Sequence, residues 1–217
     1  MLYIISTPIG NLKDITYRAV ETLEMLDILL CEDTRKTGIL LQELEIGNKP
    51  KLVSFYDEVE QQKIPQVISW LKEGLEVGIV SDAGTPLLSD PGWLLVKKCQ
   101  KENIKYTAIP GVSAVTNAAV LSGLPIQRFC FLGFLPKKSN DKKKLLENYK
   151  SFEGVKVVFE TAERTAESID IIKQVEGEGV EYRIIREMTK LYEEVVSDET
   201  LPIKGEVVIV FSSPPKR

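Results

Sequence analysis

Histidine is absent from the 217 residues of this chain. Its absence removes Ser-His-Asp and Cys-His nucleophile pairs and every histidine metal site. Proton transfer is left to carboxylates, lysine, tyrosine, cysteine or water. Cysteine is scarce too. Cys31, Cys99 and Cys130 lie far apart with no C-x-x-C spacing, so neither a disulfide framework nor a thiolate zinc site is expected. Each sits in an apolar stretch and reads as a buried thiol, which points to a reducing, cytoplasmic compartment. No metal is expected, although composition alone leaves an all-oxygen Mg²⁺ or Ca²⁺ site open. No apolar run approaches the ~20 residues of a membrane span, so no membrane partner is expected. The opening Met1-Leu2-Tyr3-Ile4-Ile5-Ser6 has no basic leader and reads as a strand rather than a signal peptide. Positive charge is not in excess: the formal net charge is −4, so any nucleic acid has to be met by a local patch.

What is present is a regular alternation. Residues 2–6, 28–31, 52–55, 77–81 and 106–109 are short apolar runs of strand length. Helical patterns separate them. Ile15, Ala19, Leu23 and Leu26 share one helical face, and Val67, Ile68 and Leu71 mark a second, which Pro65 is expected to enter only near its first turn. Leu94, Leu95 and Cys99 mark a third, with Asp90 as expected cap and Pro91 at the first helical position. Such β-α-β-α alternation predicts a parallel sheet covered on both faces. After Pro110-Gly111 the pattern restarts with a small-residue helix over 113–122 and a strand over 129–134. A lysine-rich stretch and a helix to about residue 150 follow, then runs at 155–160, 182–186, 193–197 and 207–211, with a helix to about residue 175 after the first. The last two runs have no long helix between them, which predicts antiparallel pairing there. The reading is α/β, with two α/β domains at 1–112 and 113–217 and a mixed sheet in the second. The tail Pro214-Pro215-Lys216-Arg217 is expected to fray.

In open α/β sheets ligands bind outside the carboxyl ends of the strands. Those ends are rich in small and polar residues here: Ser6-Thr7-Pro8-Ile9-Gly10-Asn11, Glu32-Asp33-Thr34-Arg35, Ser81-Asp82-Ala83-Gly84-Thr85-Pro86 with Ser89-Asp90-Pro91-Gly92, and Pro110-Gly111-Val112-Ser113-Ala114. Any one of these makes a good turn on its own, and Asp33 suits a helix cap. Four together favour a binding site. There is no G-x-x-x-x-G-K-[ST], and the lone Gly177-Glu178-Gly179 follows a helix, so neither a P-loop nor a dinucleotide fingerprint is present.

These loops, in this order, resemble the ribosomal RNA small-subunit methyltransferase I family of the tetrapyrrole methylase superfamily. Further matches are Pro110-Gly111-x-Ser113-Ala114, Arg128-Phe129 with Gly133-Phe134-Leu135-Pro136, Arg186-Glu187-x-Thr189-Lys190 and Lys204-Gly205-Glu206. The resemblance implies a class III methyltransferase with S-adenosyl-L-methionine in an interdomain cleft. It implies 2′-O-methylation of a cytidine ribose in the decoding region of 16S ribosomal RNA, with the small ribosomal subunit as partner, and a homodimer. It places the cofactor against Pro8, Ser81, Asp82, Ala83, Gly84, Thr85, Ser89, Ser113, Ala114, Glu160, Thr189, Gly205 and Glu206. A methylase of a small tetrapyrrole, or a cofactor-binding regulator without catalysis, would use the same loops.

Methyl transfer from a sulfonium asks the protein mainly to orient the two partners and to help remove the hydroxyl proton. Without histidine, Glu32, Asp33, Glu160, Glu187 and Lys190 are the candidates, and Glu32, Asp33, Arg35 and Lys190 are the expected catalytic group. One clear basic cluster exists, Lys137-Lys138-Ser139-Asn140-Asp141-Lys142-Lys143-Lys144, locally +4. Lys137, Lys138, Lys142, Lys143 and Lys144, with Arg164 and Arg186, are the expected contacts to RNA phosphates.

Overall fold

The five apolar runs of the first half lie side by side in one parallel sheet. In the computed structural model, which describes residues 1–197 and 205–212, β1 (Leu2–Ile5), β2 (Ile28–Cys31), β3 (Lys51–Ser54), β4 (Val77–Ile79) and β5 (Tyr106–Ile109) pair in the order β3-β2-β4-β1-β5. The crossovers are α1 (Tyr17–Met25), α2 (Thr34–Glu43), α3 (Asp57–Lys72) and α4 (Trp93–Lys101). Successive strand residues point to opposite faces, and both faces are covered. Leu2, Ile28, Leu30, Val77 and Ile79 pack with Ile64, Val67, Ile68 and Leu71 of α3 and with Leu95 and Cys99 of α4. Tyr3, Ile5, Leu29 and Cys31 pack with Ala19 and Leu23 of α1 and Leu41 of α2. Burial on both faces is why the central strands β1, β2 and β4 read as continuous apolar runs rather than alternating ones.

Two local expectations fail here. Pro65 sits in the middle of α3, well past its first turn. It is exposed, so the backbone carbonyl it leaves unbonded faces the water side of the helix. Asp90 does not cap α4, and Pro91 is not its first residue: the helix begins at Trp93, with Gly92 before it at φ 122°. The cap comes from α3 instead. Glu60 is buried, and one carboxylate oxygen accepts from the backbone N–H of Gly92 (3.1 Å) and of Leu95 (3.3 Å). A carboxylate at a helix N-terminus also meets the positive end of the helix dipole.

The chain divides into two compact units, Met1–Ser113 and Ala114–Arg217. In the second, β6 (Phe129–Phe134), β7 (Val155–Thr161), β8 (Glu181–Arg186), β9 (Glu194–Val196) and β10 (Glu206–Ser212) form a mixed sheet in the order β6-β7-β10-β8-β9. β6 runs parallel to β7, and the other neighbours are antiparallel. The expected antiparallel pairing of the last two runs with each other is corrected. β8 lies between them, pairs antiparallel with both, and leaves β9 at the edge. The short turn after β8 can only return the chain beside β8, which fills that side, and β10 then takes the other.

Helix α5 (Ala114–Leu121) packs on β7 and β10, while α6 (Ser139–Asn148) and α7 (Thr165–Glu176) share a core with the sheet through Leu146, Ile169, Ile172, Val158 and Ile209. Cys31 and Cys99 are buried as expected, whereas Cys130 on edge strand β6 is only half-buried. Lys204 and the segment 214–217 lie outside the described residues. Among the described residues no helix is long and apolar enough to cross a membrane.

Glu60→Ala strands two buried N–H groups, so urea unfolding is expected to show a loss of about 2–4 kcal/mol. Glu60→Gln keeps an acceptor and should lose less than about half of that. An unchanged midpoint for the alanine variant would mean that the start of α4 is satisfied by other means.

Candidate active site

Parallel strands all end at one edge, and four loops meet there in the first unit. Thr7 and Gly84 exchange backbone hydrogen bonds (2.8 and 3.0 Å), which zips the loop after β1 to the loop after β4. Gly84 has φ 81°, a conformation L side chains rarely adopt. The Ser6 hydroxyl meets that of Thr85 (3.1 Å), which donates to the Val112 carbonyl (2.9 Å), so the loop after β5 joins the same cluster. The Ser81 hydroxyl donates to the Ala83 carbonyl at 3.1 Å. Pro8 follows Thr7 directly, and Asp82, Ala83 and Ser89 are exposed along this edge. Leu87 and Ser89 both have φ 72°, so non-glycine residues hold left-handed backbone in the loop that leads to α4.

The charged residues of these loops form a linked set. Asp33 caps α2, accepting from the Arg35 N–H at 2.9 Å, and its carboxylate holds the Arg35 guanidinium by a second pair of contacts at 2.7 and 3.1 Å. The helix-cap and ion-pair roles therefore fall on one residue. Arg35 holds the Asp33 carboxyl well below the usual carboxylate range. Asp82 accepts from the Asp33 N–H (3.3 Å) and from the Lys36 ammonium (2.6 Å), and its own N–H donates to Glu32 (3.2 Å). Glu32 behaves differently from Asp33. Burial pushes its carboxyl above the ordinary value, and the charges of Asp82 and Asp57 add to this although the Asp82 N–H opposes it. Asp90 is pushed up to about 6 by burial first and then by the charge of Glu32.

In the second unit the remaining expected residues gather where β8 ends and β10 begins. Glu187 and Thr189 have φ 48° and 64°. Glu187 accepts from the Glu206 N–H (2.9 Å), and Lys190 bridges Glu187 (3.3 Å) and Glu206 (2.9 Å). A Cβ at Gly205 would fall 2.6 Å from a Glu187 carboxylate oxygen, so only glycine allows this approach. The Thr189 N–H donates to Glu193 at 2.7 Å, but its hydroxyl oxygen is buried without a partner among the described residues. Ala114 opens α5, directly after Ser113.

Several expected RNA contacts are committed inside this unit. Lys142 is corrected: it is fully buried, with its ammonium on Glu167 (2.9 Å) and the Ser168 hydroxyl (2.8 Å), and cannot reach a phosphate. Its i,i+4 spacing to the core residue Leu146 carries that signal. Lys137, Lys138, Lys143 and Lys144 are exposed at the start of α6 and along its outer side. Glu160 is buried and bound to Arg164 (2.6 Å) and the Ser168 hydroxyl (3.2 Å), so it orients Arg164. Arg186 pairs with Glu194 at 2.8 Å. Sequence reasoning does not single out Glu60 or Lys36, or the hydroxyl bond of Ser6, because their partners lie dozens of residues away and depend on loop shape.

The profile of the tetrapyrrole (corrin/porphyrin) methylases matches residues 1–202. The ribosomal RNA small subunit methyltransferase I of Thermotoga maritima is 45% identical over 193 residues, which span 89% of this chain and 85% of that protein. The protein of the same name from Haemophilus influenzae is 37% identical over 227 residues, 100% of this chain and 80% of its own. This chain belongs to the tetrapyrrole methylases, in the ribosomal RNA small subunit methyltransferase I family. Solved structures share the fold at low identity. The methyltransferase CobJ superposes with a TM-score of 0.74 at 15% identity over 100% of this chain and 95% of its own. Uroporphyrin III C-methyltransferase from Thermus thermophilus gives 0.68 at 14% identity over 97% and 96%. The α/β fold class implied by the sequence is thus the one observed, two sheets of the tetrapyrrole methylase type.

The raised Asp90 makes a pH signature. A carboxyl whose folded pKa exceeds its unfolded value adds stability below the unfolded value and loses it as pH rises through the folded one. For Asp90 that window runs from its ordinary 3.8 to about 6. Asp90→Asn should therefore raise Tm by a few degrees at pH 8 and leave it nearly unchanged below the window, as scanning calorimetry would show. Equal shifts at both pH values would mean that Asp90 is not held in a site that disfavours its charge.

Proposed function

We propose that this chain transfers a methyl group from S-adenosyl-L-methionine to the 2′-hydroxyl of a cytidine ribose in the decoding region of 16S ribosomal RNA. The observation that carries this reading is identity of 37–45% across most of the chain to proteins named ribosomal RNA small subunit methyltransferase I. The substrate in the cell is the small ribosomal subunit, the compartment is the cytoplasm, and the working form is a homodimer.

The residues present suit the donor. The Ser81–Thr85 loop turns through a left-handed glycine at the strand ends where ligands bind in such sheets, and the buried Thr189 hydroxyl lacks a partner among the described residues. We assign to donor binding Pro8, Ser81, Asp82, Ala83, Gly84, Thr85, Ser89, Ser113, Ala114, Thr189, Gly205 and Glu206. Glu160 supports them by fixing Arg164. When bound, the donor supplies an electrophilic methyl on sulfur whose thioether leaves without acid help.

The chain's own work is to place the ribose and accept its proton. Asp33 is a poor acceptor, because Arg35 keeps it ionised and occupied. Glu187 is lowered by the Glu206 N–H and by Lys190. Lys190 is kept charged, since Glu206 and Glu187 outweigh the opposing effect of its burial. Glu32 alone of these candidates combines partial burial with a raised carboxyl, which makes it the proton acceptor. Arg35 presents a guanidinium that is 88% exposed and pinned on one side by Asp33, an arrangement suited to orienting the ribose by its remaining N–H donors.

The test is methylation of 30S subunits that lack the modification, with labelled donor and mapping of the modified ribose. Transfer to a porphyrinoid with none to RNA would overturn the reading. In the same assay Glu32→Gln should lower kcat by about 10²-fold or more while donor affinity holds.

The exposed lysines should act electrostatically. Changing Lys137, Lys143 and Lys144 to Glu should raise KM for the subunit. It should also flatten the salt dependence of RNA binding by about 0.7–0.9 in log–log slope for each phosphate that is no longer neutralised. Lys142→Glu should instead lower stability, since it would set a buried carboxylate against that of Glu167. An unchanged slope in the triple variant would leave these lysines as solvated surface.

A further inference from the structure

Two aromatic rings at the edge of the parallel sheet take no part in methyl transfer. Trp93 opens α4 and is 56% exposed, and Tyr56 immediately precedes α3 and is 40% exposed. Large aromatic surface is normally withdrawn from water, so exposed rings at the starts of two neighbouring helices carry a cost that packing does not explain. The helix starts that carry them are joined by Glu60. It lies one turn into α3, with its N–H bonded to the Tyr56 carbonyl (2.9 Å), and its carboxylate holds the N–H groups of Gly92 and Leu95 on either side of Trp93. The starts of the two helices are thereby fixed side by side. Leu88, 41% exposed, sits in the strained loop that leads to Trp93. Lys97, one turn along α4, places its ammonium 5.4 Å from the centroid of the Trp93 ring. That interaction steadies the indole while leaving the ring largely in water.

We propose that Trp93, with Tyr56 beside it, forms a shelf on which an unpaired base of the substrate RNA stacks. The proposal rests on the RNA-methylating function and adds a substrate-positioning surface to it. Sequence-specific RNA recognition takes bases out of the stack and lays them on aromatic rings. The shelf lies at the same sheet edge as Glu32, Asp33 and Arg35, since α3 begins just after β3 and Gly92, before α4, lies against Ile79 at the end of β4. The local charge also selects which end of a nucleotide can come here. Glu32, Asp57, Asp82 and Asp90 surround this edge and repel phosphate, whereas the neutral face of a base meets no such barrier. Stacking is indifferent to these carboxylates, so an aromatic shelf on an acidic edge suits a nucleoside better than a phosphate backbone.

The experiment uses the fact that the chain has two tryptophans. Trp70 lies half-buried in α3 beneath Lys51, so Trp70→Phe leaves Trp93 as the only indole reporter. This variant is titrated with single-stranded oligocytidylate of about eight nucleotides, within the usual site size for single strands. An abasic oligomer with the same number of phosphates serves as the second probe. Stacking predicts strong quenching of Trp93 by the first and little by the second. In the methylation assay Trp93→Ala should raise KM for 30S subunits about ten-fold, in keeping with the loss of one base–aromatic stack. kcat and donor affinity should change little, and Trp93→Phe should restore most of the loss. Equal quenching by both oligomers, or an unchanged KM in Trp93→Ala, would overturn the shelf. If wild-type protein methylates 30S subunits and Trp93 stays silent, only the shelf fails. If wild-type protein methylates no RNA, the functional reading fails, and the fluorescence titration still decides whether a base stacks there.

Discussion

Parallel pairing of β1 with β4 and β5, and of β2 with β3 and β4, governs where chemistry can sit in the first unit. Every strand must leave the sheet at the same edge, and every crossover helix must begin near it. Backbone N–H groups at the starts of α2, α3 and α4 therefore face a common region with positive dipole ends. The sequence fills that region with carboxylates, and they are compensated unequally. Asp33 caps α2 and also holds Arg35, so it stays ionised. Glu32 has a single backbone donor and partial burial, and Asp90 feels the charge of Glu32, so both are raised. Carboxyls that titrate apart let one edge offer a fixed anion and a proton acceptor without any histidine.

The second unit uses charge in a different way. Several of its ions are turned inward: the fully buried Lys142 on Glu167, Lys156 on Glu176 at 3.0 Å with both side chains fully buried, and the buried Glu160 on Arg164. Taking such charges out of water costs much of what their attraction returns, so their value is less in net stability than in fixing which helix face meets the sheet. Lys142 ties α6 to α7, and Lys156 ties β7 to the end of α7. Arg164, fixed by Glu160 and by the Leu135 carbonyl (3.3 Å), keeps the turn after β7 closed against the end of β6.

β1, β2, β4, β7 and β10 were legible because each buries most of a continuous apolar run, and that signal is local. β2, β5 and β6 have the bounds that the residue pattern predicts. What local pattern could not give was partnership across distance. Asp90-Pro91 is a good helix opening by composition, yet Glu60, far earlier in the chain, supplies the cap, and the helix starts only after Gly92. The β9–β10 pairing failed for the same reason, since chain proximity says nothing about β8 coming between them. Within the candidate site the loops were legible as loops, but their contacts were not. That Asp33 would spend itself on Arg35 while Glu32 remained open depends on the Asp82 backbone, which only the zipped Thr7–Gly84 loops bring within reach. Lys142 is the opposite case. Its spacing from Leu146 placed it on the inner face of α6, and reading the lysines as one cluster hid a periodicity that the sequence did contain.

Under the proposed function, a chain of net charge −4 has to meet a polyanion, and its charges must be kept apart. Here the separation is built into the elements. Exposed cation is concentrated on Lys137, Lys138, Lys143 and Lys144, whereas the edge of the parallel sheet is acidic, and its Arg35 and Lys36 are each already paired with an aspartate. At physiological ionic strength the field of an exposed charge fades over about 8 Å, so each patch acts mainly on what lies next to it. In that reading long-range attraction falls to lysines that read no base, while orientation falls to groups that attract no phosphate: fixed hydrogen-bond partners, a carboxyl whose charge burial disfavours and exposed aromatic faces. In the proposed reaction that division would let an acidic protein be drawn to RNA by one surface and yet choose a single nucleoside with another.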